Sequence, residues 1–273
     1  MKTPIVSIKW LVSNLADPRL IILDASQQLN QAQLASQFIG IQIKGARFFD
    51  MKNDFSDTTN PLPNTLPTAD QFTAAAQQLG INSNSKLVIY DSLGIYSSPR
   101  AWWLFTIMGH EDVWVLDGGL PAYAKENLPL ETSENRVYEK GNFESKFKPN
   151  FFKTKEQILE NIQTKEATVI DARSNDRFLG ETQEPRAGLR SGHIPGSINI
   201  PYTTVLRDGH FLSKEELLTV LPQHNKPIYF SCGSGVTACI DLMAYEIVGD
   251  NNSKAVYDGS WTEWGQIKSL PID

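Results

Sequence analysis

The sequence predicts an α/β protein of two tandem domains, each a mostly parallel sheet flanked by helices. Three observations carry that expectation. Short apolar runs alternate with helical segments along the 273 residues, the pattern of a parallel sheet covered on both faces. One order of elements is run through twice, its last members offset by 141 positions. A polar stretch of weak periodicity from Leu130 to Asn150, with Glu131-Thr132-Ser133-Glu134-Asn135 inside it, reads as the linker between the two passes.

The elements pair off in chain order. Leu20-Ile21-Ile22-Leu23-Asp24-Ala25 is a short apolar strand ending in Asp-Ala, and Thr168-Val169-Ile170-Asp171-Ala172 ends the same way. Lys44 to Asp50, a turn feeding a strand, is matched by His193 to Ile200. Helical patterns cover Ala69 to Leu79 and Pro99 to Met108 in the first pass, and Lys155 to Ile162, Lys214 to Val220 and Val236 to Val248 in the second. The strand Lys86 to Asp91 corresponds to Lys226 to Cys232, and Val113 to Gly119 corresponds to Ala255 to Ser260. The offset of 141 lays Asp91 on Cys232 and Gly94 on Gly235, so only the second pass carries a thiol. The expected domains are residues 1–140, non-catalytic, and residues 150–273, catalytic, with the boundary near 140 to 150.

Composition narrows the function. An apolar content of 41% with 10% aromatics is that of a globular chain with a sizeable core. The net charge of -6, without a long Lys/Arg run, argues against a nucleic-acid surface. No run approaches the roughly 18 apolar residues of a membrane span, and Met1 to Trp10 is too short and unfinished for a signal peptide. Cys232 and Cys239 lie seven apart, at the start of and within one helical segment, which is poor geometry for a disulfide. A cytoplasmic protein is expected.

Cys232 opens Ser231-Cys232-Gly233-Ser234-Gly235-Val236-Thr237-Ala238, directly after the apolar Pro227-Ile228-Tyr229-Phe230 and before a helix. A thiol at that junction sits among backbone N–H groups at the positive end of a helix dipole, which favours the thiolate. Taken alone, such a Cys is as often a small buried apolar residue. Gly233 and Gly235 tip the balance, because they allow the close backbone approach of an anion-cradling loop, which a packed Cys does not need. Arg173, Arg177, Arg186 and Arg190 fall within 18 residues of one another. As an isolated segment they read as a solvated basic loop; beside a thiolate they are candidates to grip an anionic substrate through paired hydrogen bonds. Asp176-Arg177-Phe178 and Glu184-Pro185-Arg186 look the most suitable.

Other cysteine chemistries fit less well. A phosphatase of the Cys-x5-Arg type needs Arg six residues after the nucleophile, where this chain has Ala238. A protease needs a histidine base, and His110, His193, His210 and His224 all sit in turn-like contexts. Two Cys and four His show no metal-ligand spacing, so no metal or cofactor is expected.

Four stretches, taken in order, carry a family resemblance. They are Tyr96-Ser97-Ser98-Pro99-Arg100-Ala101-Trp102-Trp103, Gly192-His193-Ile194-Pro195-Gly196-Ser197, the loop Cys232 to Ala238, and Asp258-Gly259-Ser260-Trp261-Thr262-Glu263-Trp264. The chain resembles, over nearly its full length, the tandem-domain rhodanese-like sulfurtransferases, and among them the branch that uses 3-mercaptopyruvate. Members that prefer thiosulfate usually place a basic pair directly after the Cys, where this chain has Gly233 and Ser234. The resemblance implies a catalytic Cys232 that takes the outer sulfur of a small anionic donor as a persulfide and passes it to thioredoxin, another small thiol, or cyanide. It implies that Ser234 places a hydroxyl near the thiolate and that Arg177 and Arg186 bind substrate carboxylate and carbonyl. The loop residues Gly233, Gly235, Val236 and Thr237 would line the substrate, with Thr237 holding the loop by hydrogen bonds. Trp102, Trp103, Trp261 and Trp264 are expected in the core, and His193-Ile194-Pro195-Gly196 in a turn.

The chain departs from that family at Pro63-Asn64-Thr65-Leu66-Pro67, where many members have His in place of Asn64. Asn is neither acid nor base near neutral pH, so a proton relay there is in question. The acid expected after Phe48-Phe49-Asp50 is displaced by one residue, and Asp54 is its candidate replacement. Two other functions stay open on the sequence: a thiosulfate sulfurtransferase, and a persulfide carrier or binding module without turnover.

Overall fold

The computed structural model describes residues 3–27, 30, 32–134 and 136–273; Met1, Lys2 and Asn135 of the N-terminal and linker readings lie outside it. The chain divides into two compact units. The first consists of residues 1–57, 66–147 and 207–211, the second of residues 58–65, 148–206 and 212–273. Among the described residues no helix is long and apolar enough to cross a membrane.

The sheet of the first unit runs Ile5–Val6, Val113–Leu116, Lys86–Tyr90, Leu20–Asp24, Arg47–Phe48, every neighbouring pair parallel. That of the second runs Phe152–Lys153, Lys254–Tyr257, Ile228–Ser231, Thr168–Asp171, Ile198–Asn199, again all parallel. The two orders are the same order, so the repeat read from the sequence is a repeat of topology. In each unit the central strand, Lys86–Tyr90 or Ile228–Ser231, delivers the paired positions Asp91 and Cys232 to the carboxyl edge of its sheet. Leu87, Val88, Ile89 and Tyr90 are all fully buried. Such an unbroken apolar run, rather than alternation, reflects a strand covered on both faces.

Local chemistry fixes the helix starts. Thr68 accepts from Gln71 N–H ahead of Ala69–Gln78, and reciprocal capping boxes, Thr154 with Gln157 and Ser213 with Glu216, open Lys155–Thr164 and Lys214–Val220. Each such cap contributes about 1 kcal/mol. The helix expected from Val236 begins at Ala238, leaving Val236 and Thr237 in the loop. The strand Ile5–Val6, the helices Ile8–Asn14 and Gly119–Lys125 and the edge strand Phe152–Lys153 have no counterpart in the sequence reading. A two-residue edge strand is too short to show a period.

The stretch from Leu130 to Asn150 is not the loose connection its polarity suggests. Leu130–Thr132 pairs antiparallel with Ile41–Ile43. Gly141, Phe143 and Lys146 N–H then bond to the carbonyls of Gln77, Ile81 and Met108 at 2.9, 3.1 and 2.8 Å. Phe143 enters an aromatic cluster with Phe72, Phe105 and His110. One buried aromatic and a run of backbone bonds outweigh the polar side chains around them.

The tryptophans pack as their motifs suggest. Trp103, Trp261 and Trp264 are fully buried, and the indole N–H of Trp261 and of Trp264 donate to Arg190 and Pro271 carbonyls at 2.9 and 2.8 Å. In the first unit, the loop after the central strand closes on Asp91. One carboxylate oxygen accepts from Tyr96, Ser97 and Ser98 N–H at 2.9, 3.0 and 2.9 Å and from Ser98 Oγ at 2.6 Å, and the other accepts from Leu93 N–H at 3.0 Å. Asp91→Ala strands buried N–H donors and is expected to cost about 3 kcal/mol in urea unfolding. A change below about 1 kcal/mol would show that something else holds the loop.

Candidate active site

Ser231 ends the central strand of the second unit and helix Ala238–Val248 starts the return, so residues 232–237 must turn within one tight loop. Gly235 makes the turn at φ +77°, where a side chain would be strained. Cys232 lies at the head of this loop, 1% exposed, and both cysteines of the chain are free thiols.

The loop is tethered by the segment after strand Lys254–Tyr257. Ser260, at φ +49°, accepts from Cys232 N–H at 3.2 Å and donates to Tyr257 carbonyl at 2.8 Å. Trp261 N–H bonds Cys232 carbonyl at 2.9 Å, and Thr262 bonds Gly233 carbonyl through N–H at 2.9 Å and through its hydroxyl at 2.5 Å. These residues were read from the sequence only as neighbours of core tryptophans. Thr237, expected to hold the loop, stands at the helix N-cap without a side-chain capping bond, and the tethering falls to Ser260 and Thr262. Val236 is buried.

The four arginines separate into two kinds. Arg190 donates to the carbonyls of Trp264, Gly265, Ile267 and Leu270, and so knits the C-terminal turns. Arg173 is buried on Asp171, with its second nitrogen 2.9 Å from Glu184 and its plane 4.2 Å over Trp261. Arg177 reaches the loop itself, and Arg186 reaches Thr262, which tethers it. Arg177 is held in a fork by Glu184, at 3.2 Å from Nε and 2.6 Å from Nη2. Its Nη2 stands 3.3 Å from where a side chain on Gly233 would begin. Arg186 donates to Thr262 Oγ1 at 3.2 Å. Glu184, its side chain 1% exposed, is thus the shared anchor of two guanidinium groups, a role that spacing alone did not disclose.

Ser234 lies in the loop, 8% exposed, and its hydroxyl oxygen accepts from Asn64 Nδ2 at 3.1 Å. Asn64 itself, at φ +59°, belongs to the segment 58–65 that packs within the second unit. Asp54 lies in the first unit, where burial and then the neighbouring Asp50 push its carboxyl above the usual range. The histidines have other duties: His193 bonds Phe178 carbonyl and stacks on its ring, His110 meets Ser85 carbonyl, His210 meets Asp117 and His224 meets Tyr245.

A buried thiol at a strand-to-helix turn, a hydroxyl two residues on and one positively charged edge directed at the loop suit nucleophilic attack on a small anion. Gly233→Ala is expected to push Arg177 aside and raise KM for such an anion several-fold with a smaller loss of kcat. An unchanged KM would mean that Arg177 does not meet the substrate.

The profile described as Rhodanese-like domain matches residues 7–126 and again residues 154–267. Across 98% of this chain and 97% of the relative, 38% of residues are identical to the 3-mercaptopyruvate sulfurtransferase of Escherichia coli K12. The thiosulfate sulfurtransferase of Rattus norvegicus is also 38% identical, over 95% of this chain and 91% of its own length. Among solved structures, SseA from Escherichia coli, described as a 3-mercaptopyruvate sulfotransferase, superposes with a TM-score of 0.82 at 36% identity, covering 95% of this chain and 99% of SseA.

Proposed function

Since the chain belongs to the rhodanese-like family, with a rhodanese-like domain in each half, we propose that it moves sulfur from 3-mercaptopyruvate to a thiol acceptor through a persulfide on Cys232. The observation that carries this reading is Arg177, whose forked guanidinium faces Gly233 in a loop that has no basic residue of its own after the Cys. A donor with one carboxylate and a ketone matches an arginine pair better than it matches a basic loop. The catalytic domain is that of residues 150–273, joined by segment 58–65 and without residues 207–211, which pack in the first unit; the rest of residues 1–140 belongs to the non-catalytic one, because Asp91 offers no sulfur nucleophile.

In the proposed cycle, Arg177 and Arg186 take the donor's carboxylate and carbonyl. The Cys232 thiolate attacks the donor sulfur, forming an S–S bond as the carbon–sulfur bond breaks. The electron pair of that bond leaves as pyruvate enolate, which gains a proton to become pyruvate. The sulfur left on Cys232 sheds its proton, and the persulfide anion is held by the loop N–H groups of residues 233–237. An acceptor thiolate then attacks the outer sulfur and restores the Cys232 thiolate, which is ping-pong chemistry. Because Asn64 donates to Ser234 Oγ, the serine hydroxyl keeps its own proton for the substrate or the persulfide. Thioredoxin or another small dithiol is the acceptor we propose. The two free thiols suit a reducing compartment, and we place the protein in the cytoplasm, which cell fractionation tests.

Pyruvate release from 3-mercaptopyruvate with a dithiol acceptor, beside thiocyanate formation from thiosulfate and cyanide, tests the function. Faster turnover of 3-mercaptopyruvate is expected. Preference for thiosulfate would turn the assignment to the other donor, and a persulfide that forms without turnover would make the protein a carrier. Asn64→His puts a titratable ring beside Ser234 and is expected to add a limb to the pH profile of kcat near roughly pH 6.5. An identical profile would remove position 64 from the proton pathway.

A further inference from the structure

Asp241 lies in the first turns of helix Ala238–Val248 and is fully buried. Neither of its carboxyl oxygens has a hydrogen-bond partner among the described residues. Nothing in the proposed cycle uses it. Its place follows from the packing. Tyr245, one turn further along the same helix, sets its ring 5.7 Å from Phe230 on the central strand. Residues two apart on a strand share a face and advance about 6.6 Å, while four residues of helix advance about 6 Å. The helix returns against the strand, so Asp241 comes level with Cys232 as Tyr245 is level with Phe230.

Among the described residues, the cations packed nearby are committed to other acids. Burial comes first among the causes that push its carboxyl well above the usual range, followed by Cys232 and by Asp171 at the end of the adjoining strand. Arg173 is committed to Asp171 and Glu184. On the other elements against this helix, Lys254 is paired with Glu246 and Asp250, and Glu216 caps its own helix at Ser213. Lys214 lies near Gly249 at the far end of the helix, Glu215 is exposed, Tyr202 is half-buried, and Asp258 adds another acid at the sheet edge. An ionised carboxylate with no donor in a dry interior, beside a thiolate, is strongly disfavoured, whereas a neutral acid fits.

We propose that Asp241 is a positioning residue that leaves the negative charge to Cys232: the carboxyl keeps its proton while the sulfur is a thiolate or persulfide. The persulfide part of this statement rests on the sulfur-transfer reading; the thiolate part does not, and the experiment addresses the latter. Alkylation of Cys232 by iodoacetamide, read by mass on the peptide that carries it, needs no sulfur donor and so answers even if 3-mercaptopyruvate is not turned over.

Across pH, wild type and Asp241→Asn are expected to give the same ionisation midpoint for Cys232, because Asn replaces a group that was already neutral. A midpoint that moves down in the variant overturns the proposal, since a carboxylate had then been opposing the thiolate. The converse arm uses Cys232→Ser and holds even if Asp241→Asn does not fold. The infrared C=O band of the protonated carboxyl is expected to vanish at lower pH in Cys232→Ser than in wild type. Loss at the same pH in both proteins overturns the proposal.

Discussion

Cys232→Ser is expected to lower sulfur transfer from 3-mercaptopyruvate by on the order of 10⁴-fold or more, with the fold intact. The serine hydroxyl fits the space left by the thiol in the buried loop, so Ser260, Trp261 and Thr262 keep their bonds to the loop backbone. What disappears is the atom proposed to store sulfur between the two half-reactions. Steady-state pyruvate release and the mass of the protein after exposure to donor measure this together. Residual turnover within tenfold of wild type would mean that another group receives the sulfur, and Cys239, whose thiol lies 3.4 Å from Gly235 carbonyl, would then have to be tested.

The second large effect is expected at Glu184. Its carboxylate, nearly inaccessible to solvent, neutralises Arg173 and holds Arg177 at 2.6 Å. Glu184→Ala leaves a fully buried guanidinium with only Asp171 to balance it and frees the guanidinium that faces Gly233. Breaking a buried ion pair from one side costs about 3–5 kcal/mol. Urea unfolding should fall by that amount, and KM for the donor should rise even at temperatures where the variant stays folded. The pair is shielded from solvent, so salt should do little to mimic the loss. Equal urea midpoints for variant and wild type would show that the two arginines do not depend on Glu184.

Much of the architecture was legible because it is written in long or repeated patterns. The buried strands Leu20–Asp24, Lys86–Tyr90 and Ile228–Ser231 are apolar runs at repeated positions, and the glycines around Cys232 mark a turn in one dimension as well as in three. Arg177 and Arg186 could be singled out by type and neighbourhood. Glu184 could not, because its meaning lies in a fork made with a residue seven positions back and a second guanidinium eleven positions back. Ser260 and Thr262 were hidden for a similar reason: their tethers reach 28 and 29 positions along the chain. The polar tract before Asn150 misled because backbone bonds, which any side chain permits, hold it to the first unit.

The loop that closes on Asp91 has one more implication. An aspartate oxygen is as many bonds from its Cα as the outer sulfur of a persulfide is from the Cα of cysteine, and both carry negative charge. In the proposed cycle the second unit would place an end atom at that distance once per turnover, whereas the first unit holds one there at all times. Its ring of amide donors is filled by a side chain that can never leave. A duplicated domain that carries its own ligand gives up exchange and gains rigidity, so its retention needs no residual chemistry to explain it.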